Sequence, residues 1–168
     1  LRALQLQECR RGVVVGVSIM LLPGIGVSFA MAGMTSPRGR SHTFDSRADG
    51  FARGEACGAV LIDQTPNSSI AVYSPSLCGS AVRQDGRSAS LTAPNGQAQQ
   101  GLLEAALADA GLDETSLALN EAHGTGTALG DPIESGSLSA AILSRMEPSA
   151  SLPLGGVKAN IGHAEPAA

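Results

Sequence analysis

The residues best equipped for chemistry are two histidines, each set beside a glycine. Asn120 to Glu134 reads N-E-A-H-G-T-G-T-A-L-G-D-P-I-E, and Val157 to Ala164 reads V-K-A-N-I-G-H-A. A histidine at a strand end followed by G-T-G-T is placed to project into a cleft. The glycines let a substrate pass close to the backbone. Thr125 and Thr127 add hydroxyls for a polar ligand. Lys158 precedes His163 by five residues and can hold a carboxylate or polarise a network, with Glu134 as the candidate carboxylate. Each group also has a plain reading. A loop histidine bonded to a neighbouring carbonyl and a solvated surface lysine are common.

Other chemistries fit the same residues less well. G-T-G-T-A-L-G, after a strand and before a helix, superficially resembles a dinucleotide-binding turn, but its spacing is one residue too long. Asp131 would also put a carboxylate where a pyrophosphate must lie. His42, His123 and His163 show no zinc-ligand spacing such as H-E-x-x-H, so no metal is expected. Cys9, Cys57 and Cys78 form no C-x-x-C pair, and an odd number fits no closed disulfide framework. Cys57 and Cys78 read as small buried hydrophobes, and Cys9 as incidental. A reducing, intracellular and cytoplasmic setting is expected, with organelle targeting left open.

The elements that must position these groups follow from periodicity. The chain has 168 residues, 43 % apolar and 15 % charged, enough for one globular domain. Aromatics are only 2 %, so the core must come from Ala, Val, Leu and Ile. A net charge of −4 argues against a nucleic-acid face, and no apolar run reaches the length of a membrane span. Leu1–Gln7 reads as the end of a helix, Val13–Val17 as a short buried strand, and 27–34 as a short helix among loop signals. Cys57–Ile62 is a second strand, and Ile70–Val82 holds a third despite Pro75. Gly96–Ala110 is the clearest helix: Ala98, Leu102, Leu103, Ala106, Leu107 and Ala110 share one face, and Gly111 is the stop. Residues 117–122 make a weak strand that delivers His123. Asp131 caps the next helix, with Pro132 at its first position and Glu134 at its third. Residues 152–157 form a short strand. Strands alternating with helices predict an α/β fold.

Four ordered blocks then identify a resemblance. They are G-M-T-S-P-R-G-R-S-H-T-F-D-S-R-A-D-G-F-A-R-G-E-A-C-G at 33–58, Q-D-G-R-S-A-S-L-T-A-P-N-G at 84–96, E-A-H-G-T-G-T-A-L-G-D-P-I-E at 121–134 and V-K-A-N-I-G-H-A-E-P-A-A at 157–168. Together they resemble the ketosynthase (β-ketoacyl synthase) domain of type I polyketide synthases and fatty-acid synthases, the polyketide branch more closely. The resemblance implies a thiolase-like layered αβαβα fold, present in part, with 1–50 the end of the N-terminal half and 51–168 most of the C-terminal half. It implies a homodimer, an acyl carrier protein as partner, substrates carried on phosphopantetheine, and no metal or redox cofactor.

By motif, His123 and His163 match the family's catalytic histidines, Lys158 its supporting lysine and Glu134 the acidic partner. Thr125 and Thr127 match the lining of the phosphopantetheine passage. The family's nucleophile, a cysteine in a T-A-C-S-S-type motif, is expected a few residues before Leu1. The isolated chain is therefore expected to be inactive. A non-elongating, acyl-binding relative is the alternative, to be told apart by the residue at the nucleophile position. Some positions depart from the pattern: Val15-Gly16-Val17-Ser18 stands for G-G-V-N, Arg83 for an Asn, Asn120 for an apolar residue, and 7–12 is shortened or scrambled.

Overall fold

The structure, a computed structural model, describes residues 1–64, 75–88, 90 and 93–168, which fall into two compact units. The first comprises Leu1–Leu21, Gly54–Ser76 and Ala164–Ala168. It is built on an antiparallel ribbon in which β1 (Arg11–Ser18) pairs with β2 (Ala56–Asp63), Arg11 facing Asp63 and Ser18 facing Ala56. Runs of β-branched valine favour extended backbone here. An Arg11–Asp63 ion pair of 2.8 Å closes one end. Helix α1 (Arg2–Gln5) precedes the ribbon, inside the predicted Leu1–Gln7 span, and buries Leu4.

Both predicted strands form, but the expected burial of Val13–Val17 does not hold within this chain. Val13 is 67 % exposed and Val15 59 %. Leu4 meets the ribbon at Gly12 and Pro166–Ala167 meets it at Gly16, and neither covers these valines. Cys57 and Cys78, expected to be buried, are exposed.

The second unit, Leu22–Arg53 and Leu77–His163, carries both histidines. Helix α2 (Pro23–Met31) begins earlier than the predicted 27–34, because Pro23 takes a first-turn position, where its missing N–H costs nothing. Helix α3 (Gly96–Ala110) has the predicted bounds. Asn95 caps it, its side-chain oxygen accepting the N–H of Gln97 (3.0 Å) and of Ala98 (3.2 Å). Gly111 ends it at φ +64°. The strand expected in Ile70–Val82 falls partly outside the described residues. Residues 75–82 form no strand; Ser80 N–H donates to the Asp109 carboxylate of α3 at 2.9 Å.

Helix α4 (Gly130–Ala141) supplies the core. Leu138, Ala141 and Ile142 are buried, and Leu103 and Leu107 of α3 pack on them with Leu117, Met146, Leu152 and Leu154. The apolar stripe predicted for α3 thus meets its partner through Leu103 and Leu107. Two short parallel strands lie within the spans predicted for them: β3 (Asn120–Glu121) beside β4 (Leu154–Gly155). The ladder continues through Asn120 N–H to Pro153 O (2.9 Å) and Ala122 N–H to Gly155 O (3.0 Å). Because they are parallel, β3 delivers His123 and β4 leads to α5 (Lys158–Ile161) from the same end. The irregular segment 34–53 is closed at its base by Ser36 N–H to Phe51 O (2.9 Å) and Phe51 N–H to Met34 O (3.1 Å).

Ile142 is 1 % exposed at the centre of this cluster. Ile142→Ala is expected to lower the unfolding free energy by about 2–5 kcal/mol, read from the shift in denaturant midpoint.

Candidate active site

Two carboxylates on α4 fix the loop that carries His123. Asp131 and Glu134 are three residues apart in the first turns, so both side chains leave the same helix face. Glu134 accepts the backbone N–H of His123 at 2.6 Å on one oxygen and that of Gly124 at 2.8 Å on the other. Asp131, 3 % exposed, accepts the N–H of Gly126 at 3.0 Å and Thr127 at 3.2 Å on one oxygen. Its other oxygen accepts Phe44 N–H at 2.8 Å. Hydrogen bonds to an ionised acceptor are short and roughly twice as strong as neutral ones.

This arrangement corrects two expectations. Asp131 is not the helix cap: α4 starts at Gly130, and Thr127 Oγ1 accepts the Gly130 N–H at 3.1 Å instead. Nor does Glu134 form the expected ion pair with Lys158, since its two oxygens hold the His123 and Gly124 amides. No carboxylate among the described residues has an ion pair with Lys158 within 4.0 Å. The same bonds leave no free Gly126 or Thr127 amide for a pyrophosphate.

His163 is delivered by a different route. Its N–H donates to Ala52 O at 2.7 Å, and it pairs with Arg53 as an isolated bridge. Gly162 turns the chain into place at φ +77°, where an added Cβ would lie 3.2 Å from the Ala52 and Arg53 carbonyl oxygens. The His163 ring packs edge-on against Phe51, centroids 5.2 Å apart, and edge-on against His123, also 5.2 Å, with planes at 86°. The two imidazoles, forty residues apart in sequence, are neighbours.

Lys158, 7 % exposed, completes the cluster. Burial pushes the His123 imidazole below its usual 6.5, and the Lys158 ammonium adds to this; the Glu134 and Asp131 carboxylates oppose it. Burial thus favours the neutral imidazole, which keeps one N–H donor.

Thr125 and Thr127 share a hydroxyl contact of 3.4 Å. Thr127, but not Thr125, lines an open cleft of about 420 Å³ with Phe44, Ala48, Pro132 and Leu154. Neither histidine lines that cleft, so the hydroxyls and the imidazoles do not share one described cavity. His42 lines a second cleft of about 270 Å³ with Arg40, Arg47 and Asn160. Among the described residues, no group of three His, Cys, Asp or Glu side chains is arranged to hold a metal.

Sequence reasoning misses Phe51, Ala52 and Thr43, whose hydroxyl donates to Gly124 O at 2.7 Å. They lie in segment 34–53, which carries loop signals and no periodicity to mark it as a scaffold. It finds Asp131 but assigns it the wrong acceptor role. The usable signal is its spacing from Glu134 behind a glycine-rich loop.

Two outcomes follow from this geometry. Asp131→Ala strands three amides and is expected to cost about 3 kcal/mol or more in chemical denaturation, whereas Ser135→Ala on the same helix changes little. His123 is expected to titrate below 6.5 in an NMR pH series. As pH falls below 6.5 the unfolded chain takes up the proton first, so this group erodes stability until the folded value is passed.

Comparison with known proteins agrees with this architecture. Residues 1–67 match the beta-ketoacyl synthase N-terminal domain, and residues 75–168 the C-terminal domain. The chain is 42 % identical to a phenolphthiocerol/phthiocerol polyketide synthase of Mycobacterium tuberculosis, over 99 % of this chain and 9 % of that protein. It is 37 % identical to squalestatin tetraketide synthase of a Phoma species, over 98 % of this chain and 6 % of that protein. Among solved structures it superimposes on an oxazolomycin ketosynthase domain of Streptomyces albus with TM-score 0.90 and 35 % identity, covering 99 % of this chain and 30 % of that one. A ketosynthase from module 6 of the bacillaene synthase of Bacillus subtilis gives TM-score 0.89 and 34 % identity, with the same coverage. The chain thus spans under a tenth of the curated relatives and under a third of these ketosynthase structures. Its fold is the thiolase-like α/β fold of those ketosynthases, in part, and the chain belongs to the β-ketoacyl synthase family.

Proposed function

We propose that this chain is the histidine-bearing part of a polyketide-synthase ketosynthase that forms carbon–carbon bonds by decarboxylative Claisen condensation. The observation that carries the reading is the pair of imidazoles with centroids 5.2 Å apart. An acyl group is first held as a thioester on a cysteine outside this chain, with the acyl carrier protein delivering it on phosphopantetheine. Cys9, Cys57 and Cys78 stand in no T-A-C-S-S-type setting.

A malonyl-type thioester then loses its carboxylate: the carbon–carbon bond breaks, carbon dioxide leaves, and the electron pair delocalises onto the thioester oxygen. N–H donors of His123 and His163 stabilise that oxyanion. One such donor is typically worth about 10²–10³ in rate. The carbanion attacks the acyl-cysteine carbonyl, the thiolate leaves, and the chain grows by two carbons. Electrons balance within the substrates, so the chemistry calls for no redox cofactor, and in this reading the two imidazole donors stabilise the oxyanion without a metal.

Glu134 acts in this scheme by holding the His123 amide, and Lys158 adds to the burial that disfavours a charged His123. Thr127 in the open cleft, with Thr125 beside it, is assigned to the approach of the phosphopantetheine arm by motif. The reading includes a homodimer, as in the family, and an intracellular setting where carrier-bound thioesters are made. No described helix is long and apolar enough to cross a membrane.

The test is carbon dioxide release from malonyl-carrier protein by the whole ketosynthase domain. His123→Ala and His163→Ala are each expected to slow it about 10²–10³-fold, while acyl loading of the cysteine persists. Either variant releasing carbon dioxide at the unaltered rate contradicts the roles. The isolated 168-residue chain is expected to transfer no acyl group; catalytic acylation of any of its three cysteines overturns the assignment of the nucleophile.

A further inference from the structure

We propose that Thr43 is a positioning residue that sets the separation of His123 and Lys158, through a hydroxyl bond to one loop and a methyl wedged between two. The proposal rests on the condensing role argued above and adds a residue which that role does not use. Thr43 sits in R-S-H-T-F-D at 40–45, outside both histidine motifs.

Its hydroxyl donates to the carbonyl of Gly124, the residue after His123, at 2.7 Å. Its γ-methyl lies 2.6 Å from where a Cβ would stand at Gly124, and 2.6 Å from where one would stand at Gly156. Gly156 is two residues before Lys158, and its carbonyl accepts the Ala159 N–H at 3.0 Å, in the first turn of α5. One methyl group therefore excludes side chains at both glycines and acts as the spacer between the two turns. Gly124 is further restricted by φ +48°, which favours glycine.

The remaining supports of these turns come from other directions. Glu134 holds the amides of His123 and Gly124. Glu121 accepts Val157 N–H at 2.7 Å. The Gly124 carbonyl has Thr43 as its hydrogen-bond donor, and the two glycines face each other across the Thr43 methyl, with the Gly156 Cα 3.7 Å from the Gly124 Cβ position. Without the methyl, the turns have room to close; without the hydroxyl, the Gly124 carbonyl lacks its donor.

The separation matters because charge on Lys158 acts on the His123 imidazole, along with Glu134 and Asp131 from α4. The His163 ring packs on the same imidazole. A threonine satisfies both demands at once, since valine keeps the methyl but not the donor and serine keeps the donor but not the methyl.

The experiment uses Thr43→Val and Thr43→Ser in the whole ketosynthase domain. It reads acyl loading of the cysteine, malonyl decarboxylation and the His123 titration by NMR. Both variants are expected to load acyl groups normally, with an unchanged KM for the carrier protein. Each is expected to decarboxylate about tenfold or more slowly and to show a shifted His123 midpoint, in T43S downward as the turns close on Lys158. A variant pair that decarboxylates and titrates like the unaltered domain overturns the proposal. Equal loss of loading and decarboxylation also overturns it, since that marks a general folding role. If the unaltered domain loads acyl groups yet releases no carbon dioxide, the condensing role fails first and this proposal falls with it.

Discussion

The site depends on two carboxylates holding the amides of one loop. Between them, Asp131 and Glu134 accept the N–H groups of His123, Gly124, Gly126 and Thr127. A glycine-rich segment has many accessible conformations and would otherwise place His123 poorly. Charge-assisted bonds from a helix remove that freedom. The helix itself is anchored by Leu138, Ala141 and Ile142 in the core, so the packing of α3 on α4 is transmitted to the loop geometry.

A second constraint comes from segment 34–53, which makes no helix or strand of its own beyond isolated bridges. It reaches the His123 loop through Thr43 and through Gly50 N–H to Gly126 O at 3.0 Å, and it reaches His163 through Ala52 O. Phe51 supplies an apolar edge beside the His163 ring. Both imidazoles are thus referred to one piece of backbone. Parallel β3 and β4 add the third reference by carrying His123 and Lys158 out at the same end, where ligand sites in α/β sheets are usually built.

Much of this is legible in the sequence, for identifiable reasons. Helix α3 has its predicted bounds because an apolar stripe of period 3.6 ends at a glycine with φ +64°. The strand before His123 and the one leading to Lys158 are short but lie within the spans predicted for them. The pairing of Glu134 with Lys158 fails because opposite charge says nothing of the unsatisfied amides of the G-T-G-T loop. A carboxylate near free N–H groups has a competitor for any ammonium. The burial of Val13–Val17 fails because composition reports what a strand prefers, not whether this chain contains a covering layer. Thr43 and Ala52 act through irregular backbone, for which neither periodicity nor motif spacing gives a signal.

The central claim is that the imidazoles of His123 and His163 address a single oxygen. The most direct measurement is a crystal structure of the whole domain bound to a non-hydrolysable malonyl-thioester analogue. The account predicts the analogue's thioester oxygen at about 2.7–3.1 Å from one ring nitrogen of each histidine. An analogue bound with that oxygen in reach of only one ring, or of neither, contradicts it.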